Sequence, residues 1–328
     1  MNEPFFIIGS GRSGTTLLRM ILASHSRISV PPETWYLLRM GELLDADRPL
    51  TRDEANRVVK IMTGHYRWPD MKIDAGSFAA KVADLNKPYL RDIVELVYLE
   101  HLKREGKQRW GDKTPGYFEI VPQLTKLFPG AKFIHFTRDG RDVAKSFQAL
   151  RWSGSRLHDN AKEWLDAMNA NAKWQKSEFA PQIFQARYED LVLNTEETTR
   201  RLCAFLGEEF EPQMLAWQDN VDNLMPAREA HIHRSLKESP DAKFIFRWKT
   251  EMTTREMLIS EAFMGKHLAT LGYERRFNSP SWQPVFAAVR MYCRAILPIV
   301  DFPQRAVRLV AEKMSGPQKV EKRSRAGS

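Results

Sequence analysis

Three features that the chain lacks narrow its class. It has two cysteines in 328 residues, Cys203 and Cys293, which is too few for a disulfide framework or a cysteine-based zinc site. It has no apolar run close to the roughly 18 residues that are needed to span a bilayer. Its first apolar run, residues 5–8, is shorter than the core of a secretory signal and follows no basic segment. We therefore expect a reduced, cytoplasmic protein.

Positive charge is in excess, and it is unevenly placed. The net charge is +9, and residues 275–328 contain eleven Lys or Arg against three Asp or Glu. The remainder of the chain is therefore close to neutral, unlike a uniformly basic nucleic-acid-binding protein, and we expect no nucleic-acid partner. The pattern predicts a neutral domain over 1–279, a basic amphipathic helical arm over 280–314 and a disordered tail over 315–328.

Short apolar segments alternate with helical patterns along the neutral domain. Such alternation predicts an α/β fold with a mainly parallel central sheet flanked by helices in three layers. Residues 34–106 are mostly helical in pattern, with interruptions near Trp68-Pro69 and Gly76, and are expected to form an insertion packed over the sheet. The predicted strands cover 4–8, 27–30, 108–110, 132–137 and 183–187, and the main predicted helices cover 15–24, 141–150 and 164–179.

A glycine-rich loop joins the first predicted strand to the first predicted helix. It reads Gly9-Ser10-Gly11-Arg12-Ser13-Gly14-Thr15-Thr16, which is the spacing of a P-loop except that Thr15 replaces the lysine. Backbone N–H groups of such a loop and of the next helix N-terminus converge on an anion, and the planar guanidinium of Arg12 suits phosphate or sulfate. The alternative is a glycine-rich turn without a ligand.

The missing lysine argues against hydrolysis of ATP or GTP and against kinase chemistry, in which that lysine spans the terminal phosphates. No acidic strand end is an obvious ligand for Mg²⁺, although Asp112 and Asp139 stay open. A loop for one 5′-phosphate and one sulfate, without a metal, is chemically consistent with these residues.

Two blocks of the sequence resemble the sulfotransferases that use 3′-phosphoadenosine 5′-phosphosulfate (PAPS). Residues 6–18 are similar to the family's 5′-phosphosulfate loop. Residues 133–146 are similar to its 3′-phosphate site, in which an arginine ends a strand and a serine follows eight residues later, as Arg138 and Ser146 do here. The resemblance covers about residues 4–274 and is closest in style to the bacterial and tyrosylprotein sulfotransferases.

The resemblance implies a P-loop-like sulfotransferase fold, with PAPS as the donor, adenosine 3′,5′-bisphosphate (PAP) as the product and no required metal. It implies that the donor is bound by Gly11, Arg12, Ser13, Gly14, Thr15, Thr16, Arg138 and Ser146.

Two later segments resemble the family more weakly. Residues 186–191 look like its strand followed by Tyr-Glu-Asp-Leu, which implies that Tyr188 lies near the nucleotide; a core strand ending at a capped helix is the alternative. Residues 246–249 resemble the late loop over the 3′-phosphate, which implies that Arg247 or Lys249 adds charge and Trp248 covers the adenine. The alternative there is a solvated charge pair around a core tryptophan.

The candidate catalytic residues are Glu33, Arg12 and Lys113. Glu33 follows the second strand and two prolines, so it is expected to point toward the sheet edge that carries the loop. The run Pro32-Glu33-Thr34 resembles the Glu-Glu-Thr of the tyrosylprotein sulfotransferases, which implies that Glu33 is the general base. Arg12 is expected to stabilise the leaving phosphate. The same role is implied for Lys113, because residues 111–115 resemble the lysine-containing loop of the tyrosylprotein and related sulfotransferases. The alternatives are that Glu33 caps a helix, that Lys113 is an exposed turn residue, and that a histidine such as His158 is the base.

No motif identifies the acceptor. We expect a hydroxyl-bearing molecule, such as a carbohydrate, a glycolipid or another small molecule, bound in a site shaped by the insertion. Arg290 and Arg294 share one face of a helix in the arm, so the segment 285–314 suits either an anionic membrane surface or packing on its own domain. Two other functions stay open, a P-loop kinase or NTPase of another branch and a non-catalytic nucleotide-binding protein, and so does the oligomeric state.

Overall fold

A parallel sheet organises the chain. The structure, a computed structural model, describes residues 3–149, 157–226, 228–229, 236 and 241–295. Within them, five strands form one parallel sheet in the order β2-β3-β1-β4-β5, so the predicted parallel α/β architecture is confirmed. The strands are β1 (Phe5–Gly9), β2 (Ile28–Ser29), β3 (Arg109–Lys113), β4 (Lys132–Thr137) and β5 (Ile183–Arg187).

The register of the central strands brings the expected segments to one edge. Phe5 of β1 lies opposite Gly111 of β3 and Lys132 of β4, and Thr137 of β4 lies opposite Arg187 of β5. All pairings are parallel, so the carboxyl ends of the strands meet at the same edge of the sheet. The glycine loop, Lys113 and Arg138 therefore follow adjacent strand ends.

Helices cover both faces of the sheet. Successive side chains of a strand point to opposite faces, so Phe6 and Ile8 of β1 pack into one core and Phe5 and Ile7 into the other. The α-helices are α1 (Thr15–Ala23), α2 (Arg52–Thr63), α3 (Ala75–Asp84), α4 (Leu90–Glu105), α5 (Val121–Leu127), α6 (Gly140–Gln148), α7 (Leu157–Trp174), α8 (Tyr188–Leu193), α9 (Thr195–Leu206), α10 (Val221–Leu224), α11 (Trp248–Glu251), α12 (Thr254–Thr270) and α13 (Gln283–Ala295).

Each core is built from a different part of the chain. The core around Phe6 and Ile8 contains residues of α2 to α7 and α12, whereas the core around Phe5 and Ile7 contains residues of α1, α8 and α9. Two helical layers with the sheet between them make the predicted three layers.

Segment 34–106 is helical, as its pattern predicts. It contains 3₁₀ helices at Tyr36–Arg39, Gly41–Asp45 and Trp68–Met71 besides α2, α3 and α4. The interruption at Trp68-Pro69 is the third of these 3₁₀ helices, but Gly76 lies in the first turn of α3 and does not interrupt a helix. The segment packs against the Phe6 face of the sheet, where the Tyr98 ring of α4 stacks on Trp110 of β3 with 4.1 Å between ring centroids.

The helix predicted over 164–179 runs instead from Leu157 to Trp174. It ends early because Ser177 satisfies the carbonyl of Trp174: both its N–H and its hydroxyl donate to that oxygen, at 3.1 and 2.7 Å. Serine side chains compete in this way with the helix's own hydrogen bonds.

Only the first part of the basic arm lies within the described residues. There α13 packs on α12: Phe286 is buried and Arg290 donates to the carbonyl of Ala262 at 2.6 Å, while Val285 and Met291 are exposed. The predictions for 296–314 and for the tail fall outside the described residues. None of the helices described has the length and hydropathy that crossing a bilayer requires.

Candidate functional site

The glycine loop has the geometry of an anion-binding turn. Gly14 has φ +88°, and a Cβ on it would lie 2.3 Å from the Tyr188 ring, so a side chain would be strained and would clash. Ser13 is fully buried, and among the described residues its hydroxyl has no hydrogen-bond partner. Since a buried unpaired hydroxyl is costly, a ligand with acceptor oxygens fits this position.

Arg12 and Arg138 approach each other beside the loop. Arg12 Nε donates to Ser146 Oγ at 3.1 Å, and Arg138 Nη1 lies 3.5 Å from the Arg12 carbonyl oxygen. Burial, and then repulsion from Arg138, lowers the pKa of Arg12. Two neighbouring guanidinium groups, one half-buried and one buried, favour an anion between them.

Arg138 is held in place from several sides. Its guanidinium lies over the Tyr188 ring at 4.6 Å, and Nη2 donates to the Phe244 carbonyl at 2.5 Å and lies 3.5 Å from Asp142. Its Nε is buried without a partner among the described residues. The predicted donor-binding residues Arg12, Arg138, Ser146 and Tyr188 are therefore brought together, although Ser146 contacts Arg12 directly rather than Arg138.

The candidate catalytic residues form a second group that adjoins the loop. Lys113, at the end of β3, is 1 % exposed; its Nζ donates to Thr16 Oγ1 at 3.3 Å and forms an ion pair with Glu33 Oε1. Glu33 also has an electrostatic interaction with Arg12. Lys113 is therefore not an exposed turn residue: it joins the candidate base to the anion loop.

Two residues that contact Glu33 belong to no sequence motif that predicts the contact. Trp35, which has φ +56°, donates from Nε1 to Glu33 Oε2 at 2.7 Å, and Arg67 Nη2 donates to the same oxygen at 3.0 Å. Arg67 also pairs with Glu229. Arg67 lies 34 residues from Glu33 in the chain, so spacing did not signal the contact.

The cations around Glu33 set its ionisation. Burial acts to raise the pKa of Glu33, but the charges of Lys113 and Arg67 and the hydrogen bonds from Lys113 and Trp35 lower it to about 2. Glu33 is thus a carboxylate at neutral pH in the free protein, with its charge balanced on both oxygens.

The late-loop residues lie at the side of the site. Trp248 is 3 % exposed and packs under the guanidinium of Arg141, whose Cζ is 3.5 Å from the ring centre, and its backbone N–H donates to Asp142 at 2.8 Å. Arg247 forms an exposed pair with Glu251 at 2.7 Å. Trp248 thus packs as a core residue beside an exposed charge pair, and the contacts of Trp248 with the adenine and of Arg247 with the 3′-phosphate stay predictions. The side chain of His158, the alternative base, lies outside the described residues.

The two aspartates left open for Mg²⁺ are engaged by neighbours. Asp139 forms an ion pair with Arg141 at 2.7 Å. Asp112 accepts hydrogen bonds from the buried hydroxyl groups of Thr34 and Tyr98. In the described ranges, no group of three or more His, Cys, Asp or Glu side chains is arranged to hold a metal ion.

Residues 4–212 match the family model described as the Sulfotransferase family. The chain belongs to that family. The solved sulfotransferase domain of the olefin synthase of Synechococcus PCC 7002 has the same fold, with a TM-score of 0.57, 22 % identity and coverage of 83 % of this chain and 95 % of that one.

Curated relatives are similar at low identity. NoeE, a nodulation protein of Sinorhizobium fredii, is 24 % identical over 82 % of this chain and 66 % of its own length. Protein-tyrosine sulfotransferase 1 of Danio rerio is 24 % identical over 84 % of this chain and 74 % of its own. An uncharacterised protein of Aquifex aeolicus is 26 % identical over 80 % of this chain but only 33 % of its own length. The chain thus spans from a third to about three quarters of the length of these relatives.

Proposed function

We propose that this chain transfers a sulfuryl group from PAPS to a hydroxyl-bearing acceptor. The observation that carries the proposal is the convergence of half-buried Arg12 and buried Arg138 on the glycine loop beside the unpaired hydroxyl of Ser13. Family membership of residues 4–212 supports the same reaction class. A donor with a 5′-phosphosulfate and a 3′-phosphate would place one anion at the loop and a second near Arg138.

The residues of the site fit the needs of sulfuryl transfer. PAPS, when bound, supplies the sulfuryl group, and PAP is its leaving group. The acceptor oxygen bonds to sulfur as the bond from sulfur to the bridging phosphate oxygen breaks; that oxygen keeps the electron pair, and Glu33 takes the acceptor's proton. Arg12, Lys113 and the loop amides are placed to stabilise the negative charge that develops on the phosphate.

Lys113 connects the donor side of this reaction to the base. It is bonded both to Thr16 at the start of α1 and to Glu33. A carboxylate with a pKa of about 2 is a weak base. When the Lys113 ammonium turns toward an anion on the loop, its ion pair with Glu33 weakens. The pKa of Glu33 then rises, and the carboxylate becomes a stronger base.

The insertion supplies the acceptor side. Among the aromatic residues of the insertion, Tyr36 and Trp68 are buried, whereas Tyr66 is 60 % exposed. Its hydroxyl lies 3.4 Å from Nε of Arg67, which contacts Glu33. An exposed ring this close to the base suits a ring-shaped acceptor such as a carbohydrate. The cytoplasmic location and membrane contact through 285–314 stay predictions.

Nucleotide preference tests the donor. PAP at about a hundred times its dissociation constant should stabilise the protein by about 2.7 kcal/mol, measured by thermal unfolding against ATP with Mg²⁺. Arg138→Ala should abolish the shift. The control is Arg200→Ala, since Arg200 forms an exposed pair with Glu196 on α9 and should leave the shift unchanged. Stabilisation by ATP with Mg²⁺ alone would favour a kinase or NTPase.

Transfer itself is tested with sulfur-35-labelled PAPS and a panel of sugars, glycolipids, phenols and peptides. Glu33→Gln should reduce labelling of any accepted compound by at least a hundredfold, while PAP binding persists. Binding of PAP without labelling of any compound in the panel would instead support a non-catalytic nucleotide-binding protein.

A further inference from the structure

A chain of buried hydroxyl groups lies directly behind the catalytic pair. Thr34 Oγ1 donates to Asp112 Oδ2 at 2.8 Å, and Tyr98 of α4 donates to the same oxygen at 2.8 Å. The hydroxyl of Tyr117 lies 2.6 Å from Thr34 Oγ1. All four side chains are buried. We call Thr34, Asp112, Tyr98 and Tyr117 the hydroxyl network.

Burial raises the pKa of Asp112 to about 6. At neutral pH, with Asp112 ionised, the donors and acceptors among these four residues allow one arrangement. The Thr34 hydroxyl has one proton, which goes to Asp112, so Thr34 must accept from Tyr117. Tyr117 in turn accepts from the N–H of Leu37 at 3.3 Å. Burial raises the pKa values of Tyr98 and Tyr117 well above the usual value for tyrosine, so both remain O–H donors. Every bond therefore runs toward the Asp112 carboxylate, and bonds that end on a charge are the stronger kind.

Chain connectivity links this network to the catalytic pair. Thr34 follows Glu33, and Asp112 precedes Lys113. The same two backbone segments are therefore joined twice, once by the Glu33–Lys113 ion pair and once by the Thr34–Asp112 hydrogen bond. The backbone N–H of Thr34 adds a third link, to Thr114 Oγ1 at 3.1 Å.

The side chains of Asp112 and Lys113 leave β3 on opposite faces of the sheet. Neighbouring residues of a strand point to opposite faces, so Asp112 meets the hydroxyl groups of the insertion while Lys113 meets the glycine loop through Thr16. A catalytic group needs neighbours that hold it in its reacting geometry. From this arrangement we propose that Thr34 and Asp112 are positioning residues that hold Glu33 against Lys113. The proposal rests on the roles of Glu33 and Lys113 proposed above.

The test removes the Thr34 hydroxyl and observes Glu33 directly. Carbon-13 NMR of labelled glutamate carboxyl groups follows the ionisation of Glu33, whose resonance is identified by its absence in Glu33→Gln. Lys113 and Arg67 contact Glu33, and Arg12 and Asp112 lie within electrostatic range. In the unaltered protein, Glu33 itself should not titrate from pH 4 to 7.5, since its pKa is about 2. A small step near pH 6, where the neighbouring Asp112 is protonated, is expected. We call a profile with no more than this step flat.

Thr34→Val keeps the shape of the side chain but removes the bond to Asp112. Glu33 should then lose contact with Lys113, and its titration midpoint should rise by at least one pH unit, into the observed range. Thr34→Ser should restore the flat profile. Tyr98→Phe should raise the titration midpoint of Glu33 by a smaller amount. If Thr34→Val does not fold, Tyr98→Phe is the variant that tests the positioning role.

Ser29→Ala is the matched control. It also removes a buried hydroxyl that contacts α4, through a 2.8 Å hydrogen bond to His101, but it lies at β2 away from the pair. It should lower the melting temperature and leave the Glu33 resonance flat. If folded Thr34→Val also left it flat, or if Ser29→Ala shifted it as much, the positioning role would be refuted.

PAP binding separates this proposal from the proposed function. The dissociation constant of PAP should stay within twofold of the original in Thr34→Val, because the Arg12–Arg138 region is untouched. Failure of the unaltered protein to bind PAP would reject the donor assignment. A flat Glu33 profile in folded Thr34→Val with normal PAP binding would reject only the positioning role.

Discussion

The ion pair between Glu33 and Lys113 should be a measurable part of the protein's stability. The pKa of Glu33 falls from an ordinary 4.5 to about 2 in the fold. At 1.36 kcal/mol per pKa unit, ionised Glu33 contributes about 3 kcal/mol at neutral pH. Glu33→Gln should lower the free energy of unfolding by about that amount, because it also leaves the buried Lys113 ammonium without its counter-charge.

The pH dependence has a defined sign. Since the folded-state pKa of Glu33 lies below the unfolded one, its stabilisation is complete above about pH 5.5 and is lost as the pH falls toward 2. The difference in unfolding free energy between the original protein and Glu33→Gln should therefore shrink on acidification. Urea denaturation followed by tryptophan fluorescence, at pH 7 and in steps toward pH 3.5, measures it without nucleotide.

A double-mutant cycle isolates the pair. Lys113→Met removes the ammonium, and the double variant Glu33→Gln with Lys113→Met should cost less than the two single changes added together, by about 1–3 kcal/mol. Glu196→Gln is the control, because it breaks an exposed pair with Arg200 and should have little measurable effect. A cost for Glu33→Gln below about 1 kcal/mol, or additive single changes, would refute the reasoning.

Three other changes test separate parts of the structure. Gly14→Ala places a Cβ against Tyr188 at a positive φ and should weaken PAP binding at least tenfold in calorimetry; unchanged binding would mean that this loop is not the anion site. Arg141→Met removes a buried guanidinium bonded to Asp139 and Glu261 and should cost about 3–5 kcal/mol in urea denaturation; a neutral effect would contradict it. Phe286→Ala should release α13 from α12 and speed tryptic cleavage within 283–295 at constant melting temperature, whereas unchanged cleavage would show that Phe286 is not the anchor.

The sheet could be predicted because local patterns determine it. Each strand is a short apolar run next to a glycine, proline or polar turn, and that pattern survives in any context. Even β2, only two residues long in the structure, was signalled by the prolines that follow it. The end of α7 was not predictable in this way, because a single hydroxyl, that of Ser177, bonds to the Trp174 carbonyl at the end of the helix.

The site, like the fold, has residues that the sequence could predict and residues that it could not. The loop, Lys113 and Arg138 were predicted together because each lies in a run that resembles the sulfotransferases. In the structure they follow adjacent parallel strands, whose order brings them to one edge. Arg67 was not predicted with them, because it comes from a helical insertion whose packing on the sheet has no motif. Yet Arg67 shares the Oε2 atom of Glu33 with Trp35 and so helps to set the basicity of the proposed base. If the insertion shapes the acceptor site, as proposed, it also affects the proposed base, and an acceptor that draws Arg67 away would increase the basicity of Glu33 as it binds.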